Sequence, residues 1–325
     1  MNLVCKVTRG NLLESIHIIY AIVVDGDGKE VLTVGNGDYI TCIRSAFKPF
    51  QAATAVKVGA VDAAGFAQDE LALMCASHSG ENIHVKTAKS MIEKLGYDIS
   101  YYECGSHPPY DVPSRHNIIK NNIDILPYHN NCSGKHAGML ALAKHLQIDP
   151  KGYTNPEHPV QQMILENAKE YTGIQEIPIS LDGCSAVAPF FSLKTIAELF
   201  QLLSDEQKPE LKAVYQAMVN YPHNIAGNKR FDTDFIKTLK GRGITKIGGE
   251  AVRGVGIKTK KFGNIGIALK VLDGSQRCLP QATLAILNKL ELLTDSENKK
   301  LENWSNEKRL NHRKIHIGDR KIIWE

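Results

Sequence analysis

The sequence predicts an α/β (α+β) fold, in which an antiparallel sheet is built from both chain ends and helices pack against it. Two observations carry this prediction. Runs of β-branched and aromatic residues concentrate in about 1–40 and 250–325. Between them, over about 45–245, apolar residues recur at helical spacing. No linker or internal repeat interrupts the 325 residues, so we expect one domain spanning 1–325.

The predicted strands pair locally. Residues 15–24 (S-I-H-I-I-Y-A-I-V-V) and 29–34 (K-E-V-L-T-V) flank a D-G-D-G turn, which predicts a hairpin. Two later pairs are expected, one formed by residues 254–259 and 264–271, and one formed by a C-terminal hairpin that turns at Gly318 and Asp319.

Eight helices are predicted from apolar residues at helix-like spacing. They cover residues 46–58, 61–75, 85–95, 136–147, 159–171, 191–203, 207–220 and 280–293.

Composition and charge exclude several classes of protein. The net charge is +4, from 39 basic and 35 acidic side chains, without the basic stripe of a nucleic-acid binder. No apolar run reaches the length of a membrane span, and the N-terminus lacks the pattern of a signal peptide. The seven cysteines are scattered, which favours free thiols over a disulfide framework. We therefore expect a cytoplasmic protein with no nucleic-acid or membrane partner.

The segment R-S-A-F-K-P at 44–49 contains an S-x-x-K pair, Ser45 and Lys48. A serine hydroxyl becomes a nucleophile when a base takes its proton, and a neutral lysine amine can be that base. Pro49 fits only the first turn of a helix, so Ser45 is expected close to a helix N-terminus. The pattern alone also fits a capping serine with an exposed lysine.

Two further segments offer polar side chains for a pocket. Ser77-His78-Ser79-Gly80-Glu81 follows an apolar run and is either a pocket lining or a helix end. In G-I-A-L-K at 266–270, Lys270 interrupts an apolar strand, so it faces either solvent or a site. A second lysine near Lys48 would lower the pKa of one of them by like-charge repulsion.

Three segments contain cysteines beside other potential ligands. Cys132 and Lys135 lie in N-N-C-S-G-K-H, and Asp182 and Cys184 lie in L-D-G-C-S-A. From spacing alone, buried thiols are favoured over a zinc site. Cys104 and His107 in C-G-S-H have ligand spacing too, but they favour loop packing.

Taken together and in this order, these segments resemble the rhizobial-type (class 3, asparaginase II-like) L-asparaginases. The resemblance runs through R-S-A-F-K-P-F-Q-A at 44–52, A-S-H-S-G-E at 76–81, C-G-S-H-P-P at 104–109, N-N-C-S-G-K-H-A-G-M at 130–139, D-G-C-S-A at 182–186, R-F-D-T-D at 230–234, G-G-E at 248–250 and G-I-A-L-K at 266–270. It implies a fold similar to serine β-lactamases, penicillin-binding proteins and serine-dependent glutaminases.

The resemblance also implies roles for individual residues. Ser45 matches the nucleophile, Lys48 its base, Ser77 a second active-site serine and Lys270 a second lysine. Lys258 and Lys261 compete with Lys270 for that match. The residues expected to bind substrate are Arg44, His78 and Asp182, and those expected to hold one Zn²⁺ per chain are Cys132, Lys135 and Cys184. Asp182 would either bind the amino group of the substrate or support the zinc site.

The activity that the resemblance implies is hydrolysis of L-asparagine to L-aspartate and ammonia through an acyl-enzyme, by a homodimer. A glutaminase or another amidase is the alternative on the same scaffold. Less favoured are a β-lactamase-like acyl enzyme, whose substrates lie outside the cytoplasm, and a non-catalytic binding protein, which needs no serine–lysine set.

Overall fold

Eleven strands and thirteen helices make up the computed structural model, which describes residues 1–325. The strands are β1 Leu3–Arg9, β2 Leu12–Val24, β3 Glu30–Val34, β4 Ile40–Cys42, β5 Ile179–Leu181, β6 Val187–Ser192, β7 Gly243–Gly248, β8 Val252–Thr259, β9 Gly263–Val271, β10 Glu307–Leu310 and β11 His316–Trp324. The helices are α1 Lys48–Lys57, α2 Ala60–Ala63, α3 Gln68–Met74, α4 Asn82–Lys94, α5 Val112–Lys120, α6 Ser133–His145, α7 Pro159–Thr172, α8 Leu193–Asp205, α9 Pro209–Asn220, α10 Pro222–Ala226, α11 Phe231–Leu239, α12 Leu279–Lys289 and α13 Asp295–Lys300. None of these helices is both long enough and apolar enough to cross a membrane.

The chain divides into two compact units, each made of several segments. Unit 1 contains Met1–Ala46, Phe191–Asp205 and Thr238–Glu325, and unit 2 contains Phe47–Phe190 and Glu206–Lys237. The single domain expected from the sequence stays a prediction.

Unit 1 is built on one antiparallel sheet. Its strands run in the order β10-β11-β1-β2-β9-β8-β7, and β3 pairs with β2 beside this path. The 13-residue β2 is long enough to pair with β1 along its first half and with β3 and β9 along its second. The first and last strands of the chain therefore meet in one sheet, which confirms the predicted fold class.

Helix α8 packs closely on the β8–β9 pair because small residues face it. A Cβ atom added to Gly254 would meet Phe200 Cε2 at 1.9 Å, and one added to Gly266 would meet the Ala197 carbonyl oxygen at 1.8 Å. Larger side chains at these positions would push the helix off the sheet.

Unit 2 is mostly helical, and α6 is its central helix. Residues 133–143 are all buried, and α1, α2, α3, α4 and α7 pack around them. The sequence S-G-K-H-A-G-M-L-A-L-A suits this position because small residues lie on several sides of the helix. A Cβ atom on Gly134 would meet the Leu73 carbonyl oxygen at 2.2 Å, so this glycine lets α3 and α6 approach closely. The packing carries Lys135 into the interior.

Two element predictions are corrected. The helix predicted over 61–75 is two helices, α2 and α3, because Gly65 has a left-handed backbone (φ 64°) between them. Strand β7 was not predicted, since Thr245 and Lys246 interrupt its apolar pattern, although the structure buries both.

The predicted position of the C-terminal turn is also wrong. The chain reverses over residues 311–315, where the Asn311 side-chain oxygen accepts hydrogen bonds from the Arg313 and Ile315 N–H groups. Gly318 lies within β11, and a Cβ atom there would meet the Thr8 carbonyl oxygen at 2.0 Å. This glycine therefore marks a close approach between chain segments, not a turn.

Candidate active site

Lys48 is a buried lysine at the start of α1 in unit 2. Pro49 occupies the first turn of this helix, as its fixed φ predicts. The Lys48 side chain is 1% exposed, and its Nζ donates to the Ala76 carbonyl oxygen (2.5 Å), the Asn131 carbonyl oxygen (3.1 Å) and Ser77 Oγ (3.2 Å).

This geometry accommodates both protonation states of Lys48. As an ammonium ion, it has three N–H groups for the three acceptors. As a neutral amine, it keeps two N–H groups for the carbonyl oxygens of Ala76 and Asn131, and its lone pair can accept the proton of the Ser77 hydroxyl. A proton can therefore pass between Ser77 and Lys48 without rearrangement of either side chain.

Ser45 lies in unit 1, in the 3₁₀ turn Arg44–Phe47. Its side chain is half-buried and makes no side-chain hydrogen bond. The preceding Arg44 has a left-handed backbone (φ 52°), and its guanidinium lies against Gly249, where an added Cβ atom would meet Cζ at 2.9 Å. The serine hydrogen-bonded to Lys48 is Ser77, the residue that the resemblance matches to a second active-site serine.

His78 is fully buried, and both of its ring nitrogens are engaged. Nδ1 accepts a hydrogen bond from the Gly80 N–H (3.1 Å), so Nε2 carries the proton and lies 2.9 Å from Ser133 Oγ. Burial, together with His84 and Lys48, lowers the pKa of His78 well below its usual value. The residue is a neutral imidazole that ties the Ser77 loop to α6.

The three predicted zinc ligands are brought together inside unit 2. The Asn130 side-chain oxygen accepts from the Cys132 N–H (2.9 Å) just before α6, and Lys135 follows one turn later. Cys184 sits in a tight turn closed by the Ser185 N–H and the Asp182 carbonyl oxygen (2.9 Å). Lys135 Nζ lies 2.9 Å from Cys184 Sγ, and all three ligand side chains are buried.

The electrostatics of this cluster favour an ion pair. A hydrogen bond from Cys132 lowers the pKa of Cys184, and nearby Lys135 lowers it further. The same bond, together with burial, raises the pKa of Cys132 well above its usual value. Burial alone would lower the pKa of Lys135, but Cys184 and Cys132 outweigh it and raise that pKa. The protein without metal therefore holds a Cys184 thiolate against a Lys135 ammonium.

The donor set of this cluster fits Zn²⁺. Thiolates are preferred zinc ligands, and two cysteine sulfurs converge here with one amine. The next residue, His136, is fully buried, with its Nδ1 2.7 Å from the Tyr153 hydroxyl and its ring beside the Cys184 sulfur.

Cys104 and His107 are organised differently. The Asn131 N–H donates to His107 Nε2 (3.0 Å), so Nδ1 donates to the Pro108 carbonyl oxygen (2.8 Å). Burial raises the pKa of the Cys104 thiol to about 12. These residues pack the loop that precedes the cluster.

The sequence offers three candidates for the second active-site lysine, namely Lys270, Lys258 and Lys261. Lys270 is almost fully buried, and its Nζ donates to the Glu250 carbonyl oxygen, in a turn where Glu250 has a left-handed backbone (φ 56°). Burial lowers the pKa of Lys270. Lys258 is half-buried at the far end of β8, and Lys261 is an exposed hairpin residue. Lys270 is thus the most buried of the three.

A fourth lysine, Lys246, was missed. It lies on β7, is fully buried, and its Nζ donates to the Ile247 carbonyl oxygen (2.8 Å). Lys246-Ile247-Gly248 has the K-x-G spacing of the K-T-G element in serine acyl enzymes. That spacing is the signal that could have revealed it.

Comparison with known protein families identifies the class of this protein as an amidohydrolase enzyme. The model of the L-asparaginase II family matches residues 5–322, almost the whole chain. The chain belongs to the L-asparaginase II family, which confirms the resemblance seen in the motifs.

Solved structures that match this chain include two β-lactamases and a glutaminase. The β-lactamase from Burkholderia ambifaria is 14% identical, with a TM-score of 0.42 over 86% of this chain and 95% of that one. A Bacillus glutaminase is 12% identical, with a TM-score of 0.39 over 84% and 91%. A class A β-lactamase from Bacteroides cellulosilyticus is 14% identical, with a TM-score of 0.38 over 88% and 87%. No curated protein sequence matches the chain significantly.

Proposed function

We propose that this amidohydrolase is an L-asparaginase, which hydrolyses L-asparagine to L-aspartate and ammonia. The observation that carries the proposal is the buried Lys48 amine, 3.2 Å from Ser77 Oγ and three residues after Ser45, in a chain of the L-asparaginase II family. Such a lysine is suited to moving protons to and from serine hydroxyls during acyl transfer.

In the proposed mechanism, Ser45 Oγ attacks the side-chain amide carbon of L-asparagine. Lys48 accepts the hydroxyl proton, and Ser77 passes a proton to the departing nitrogen, which leaves as ammonia. A water molecule then attacks the acyl-enzyme, releases L-aspartate and restores the Ser45 hydroxyl. Backbone N–H groups near Ser45 stabilise the oxyanion of each tetrahedral intermediate.

Lys270 is proposed as the second lysine of this proton path, and Lys246 is its competitor because of its burial and K-x-G spacing. The variants Lys270→Met and Lys246→Met distinguish the two candidates, since replacing the catalytic lysine should lower kcat. Replacing the other lysine should mainly lower the free energy of unfolding, because a backbone carbonyl oxygen loses its hydrogen-bond donor.

Cys132, Lys135 and Cys184 are proposed to hold one Zn²⁺ per chain. When bound, the metal would polarise or orient an oxygen of the substrate. Asp182 is proposed to bind the substrate amino group, with Arg44 as a further substrate-binding residue. His78, expected from the sequence to bind substrate, is buried with both ring nitrogens engaged, so we propose that it supports binding by holding the Ser77 loop. On the basis of the family resemblance, we also propose that the protein is a homodimer and that it is cytoplasmic.

The test is ammonia release from purified protein offered L-asparagine, L-glutamine and a chromogenic β-lactam side by side. We expect kcat/KM for L-asparagine to exceed that for L-glutamine at least tenfold, with no β-lactam opening. Faster release from L-glutamine would make the protein a glutaminase, and turnover of the β-lactam alone would overturn the proposal.

A further inference from the structure

The chain segment 225–230 lies directly beside the loop that carries Ser77. The Ser77 N–H donates to the Ile225 carbonyl oxygen (2.9 Å), and Ser79 Oγ donates to the Ala226 carbonyl oxygen (2.7 Å). Arg230 Nη1 in turn donates to Ser79 Oγ (3.1 Å). Arg230 is therefore held next to the loop of the proton-relay serine.

Glu81 clamps this segment. Its Oε1 accepts from the Asn228 N–H (2.7 Å), and its Oε2 accepts from Asn228 Nδ2 (2.8 Å) and lies 3.1 Å from His223 Nε2. Gly227 has a positive φ of 107°, and a Cβ atom on it would meet Glu81 Oε1 at 2.2 Å. Backbone conformation and side-chain bonds thus fix the approach of the chain to Arg230.

His84 completes the clamp. Its Nδ1 accepts from the Glu81 N–H (3.1 Å), so its protonated Nε2 donates to the His223 carbonyl oxygen (3.1 Å). Ligand atoms of Glu81, His84 and His223 lie within 4.8 Å of one another. Since both ring nitrogens of His84 already bond the backbone, the cluster positions the segment and is not arranged to bind a metal.

Arg230 itself is half-buried, and the only hydrogen bond of its guanidinium is the one to Ser79. It forms no ion pair with any carboxylate of the chain. A guanidinium presents several N–H groups in a planar fork that matches the two oxygens of a carboxylate. A guanidinium that is partly desolvated and has no carboxylate partner within the protein favours binding of an anionic ligand. The clamp would hold it ready for such a ligand without the entropy cost of ordering a long side chain.

We propose that Arg230 binds the α-carboxylate of the amino-acid substrate, an inference that rests on the proposed L-asparaginase function. One residue, His78, lies between Ser77 and Ser79, so their Cα atoms are at most about 7 Å apart. In L-asparagine three bonds separate the α-carboxylate carbon from the amide carbon, a distance of about 4 Å. A short amino-acid amide can therefore place its amide near Ser77 while its carboxylate meets Arg230.

The test compares two ligands that differ only in the α-carboxylate, L-aspartate and β-alanine. Their binding is measured by titration calorimetry to the wild type, Arg230→Gln, Arg230→Lys and the exposed control Arg313→Gln. We expect the wild type and the control to bind L-aspartate about 10- to 100-fold more tightly than β-alanine. In Arg230→Gln this preference should disappear, and in Arg230→Lys part of it should remain because one point charge replaces the fork.

A preference for L-aspartate that persists in Arg230→Gln would overturn the proposal, as would a wild type that shows no preference. If thermal unfolding shows that Arg230→Gln does not fold, Arg230→Lys is compared with the wild type instead. In that variant, an unchanged preference for L-aspartate over β-alanine together with an unchanged KM for L-asparagine would overturn the proposal. Failure of the proposed function is seen separately, as a wild type that binds L-aspartate through Arg230 but releases no ammonia from L-asparagine.

Discussion

Lys135 Nζ lies 2.9 Å from Cys184 Sγ, although 49 residues separate the two in the chain. In the protein without metal, this contact is a buried ion pair between an ammonium and a thiolate. Lysine binds a metal only as a neutral amine, so Zn²⁺ bound at the proposed site would have to displace a proton from Lys135 as well as from Cys132.

Metal analysis of the purified protein is therefore expected to find about one zinc per chain. Cys132→Ser and Cys184→Ser should each lose it, because an alcohol is a much poorer zinc ligand than a thiolate. Zinc affinity should fall as pH decreases, since protons compete for the amine and both thiols. Competition with a chromophoric chelator at several pH values measures this.

The control for the zinc prediction is Cys42→Ser, which replaces a half-buried cysteine outside the cluster. This variant protein should contain as much zinc as the wild type. Full zinc occupancy in the Cys132→Ser, Cys184→Ser double variant would contradict the assignment. Cys104 and His107 would then be the next ligands to test.

Ser45→Ala is expected to reduce kcat at least about 10³-fold, because the proposed acyl acceptor is gone. Its free energy of unfolding should change little, since the hydroxyl makes no hydrogen bond. Ammonia release and urea unfolding measure the two effects. Ser296→Ala, at an exposed serine on α13, should behave as the wild type. Activity within tenfold of the wild type would rule out Ser45 as the nucleophile.

Lys48→Met is expected to lower both activity and stability. The Ala76 and Asn131 carbonyl oxygens would lose a buried donor, which costs about 1–3 kcal/mol each. If Lys48 and Ser45 act as one unit, the double variant with Ser45→Ala should be little less active than either single variant. Two losses that multiply would show that the residues act independently.

Acid is expected to destabilise the fold through its buried histidines. Burial lowers the pKa of His78 and of His84, so both bind a proton less readily in the folded protein than in the unfolded chain. Below about pH 6.5 these two histidines therefore bind more protons in the unfolded chain than in the folded protein. The free energy of unfolding should then fall by up to about 1.4 kcal/mol per pH unit for each histidine, until the folded-state pKa is reached.

Urea unfolding at pH 7.5 and 5.5 checks this effect. His78→Gln should show a smaller difference between the two pH values than the wild type, although it is less stable at both. His312→Gln, at an exposed histidine, is the matched control and should keep the full difference. Equal pH dependence in His78→Gln and the wild type would remove His78 as a source of acid sensitivity.

Gly134→Ala should destabilise the protein, although alanine is normally the better helix former. Its Cβ atom would meet the Leu73 carbonyl oxygen at 2.2 Å, so α3 and α6 must separate, at about 1–3 kcal/mol. Gly138→Ala on the same helix is the comparison, because its Cβ atom would meet the flexible Met74 side chain at 2.5 Å. Thermal unfolding should rank Gly134→Ala as the less stable, and the opposite order would contradict this view of the packing.

Much of the fold could be predicted from local patterns. Runs of β-branched residues at both chain ends and helical spacing between them indicated the antiparallel sheet and the helical middle. These predictions succeed because side-chain periodicity reports which face of a segment is buried. The motifs also pointed to the family, since the S-x-x-K and N-N-C-S-G-K-H segments occur in its order.

The tertiary structure decided which side chains meet. The hydrogen bond between Lys48 and Ser77, the contact between Lys135 and Cys184, and the burial of Lys246 all depend on packing between segments far apart in the chain. Gly318 shows the same limit, because its sequence context suggests a turn, whereas a neighbouring backbone requires it within a strand. Local periodicity carries no information about such distant partners, since they are set by how closely whole helices and strands can approach.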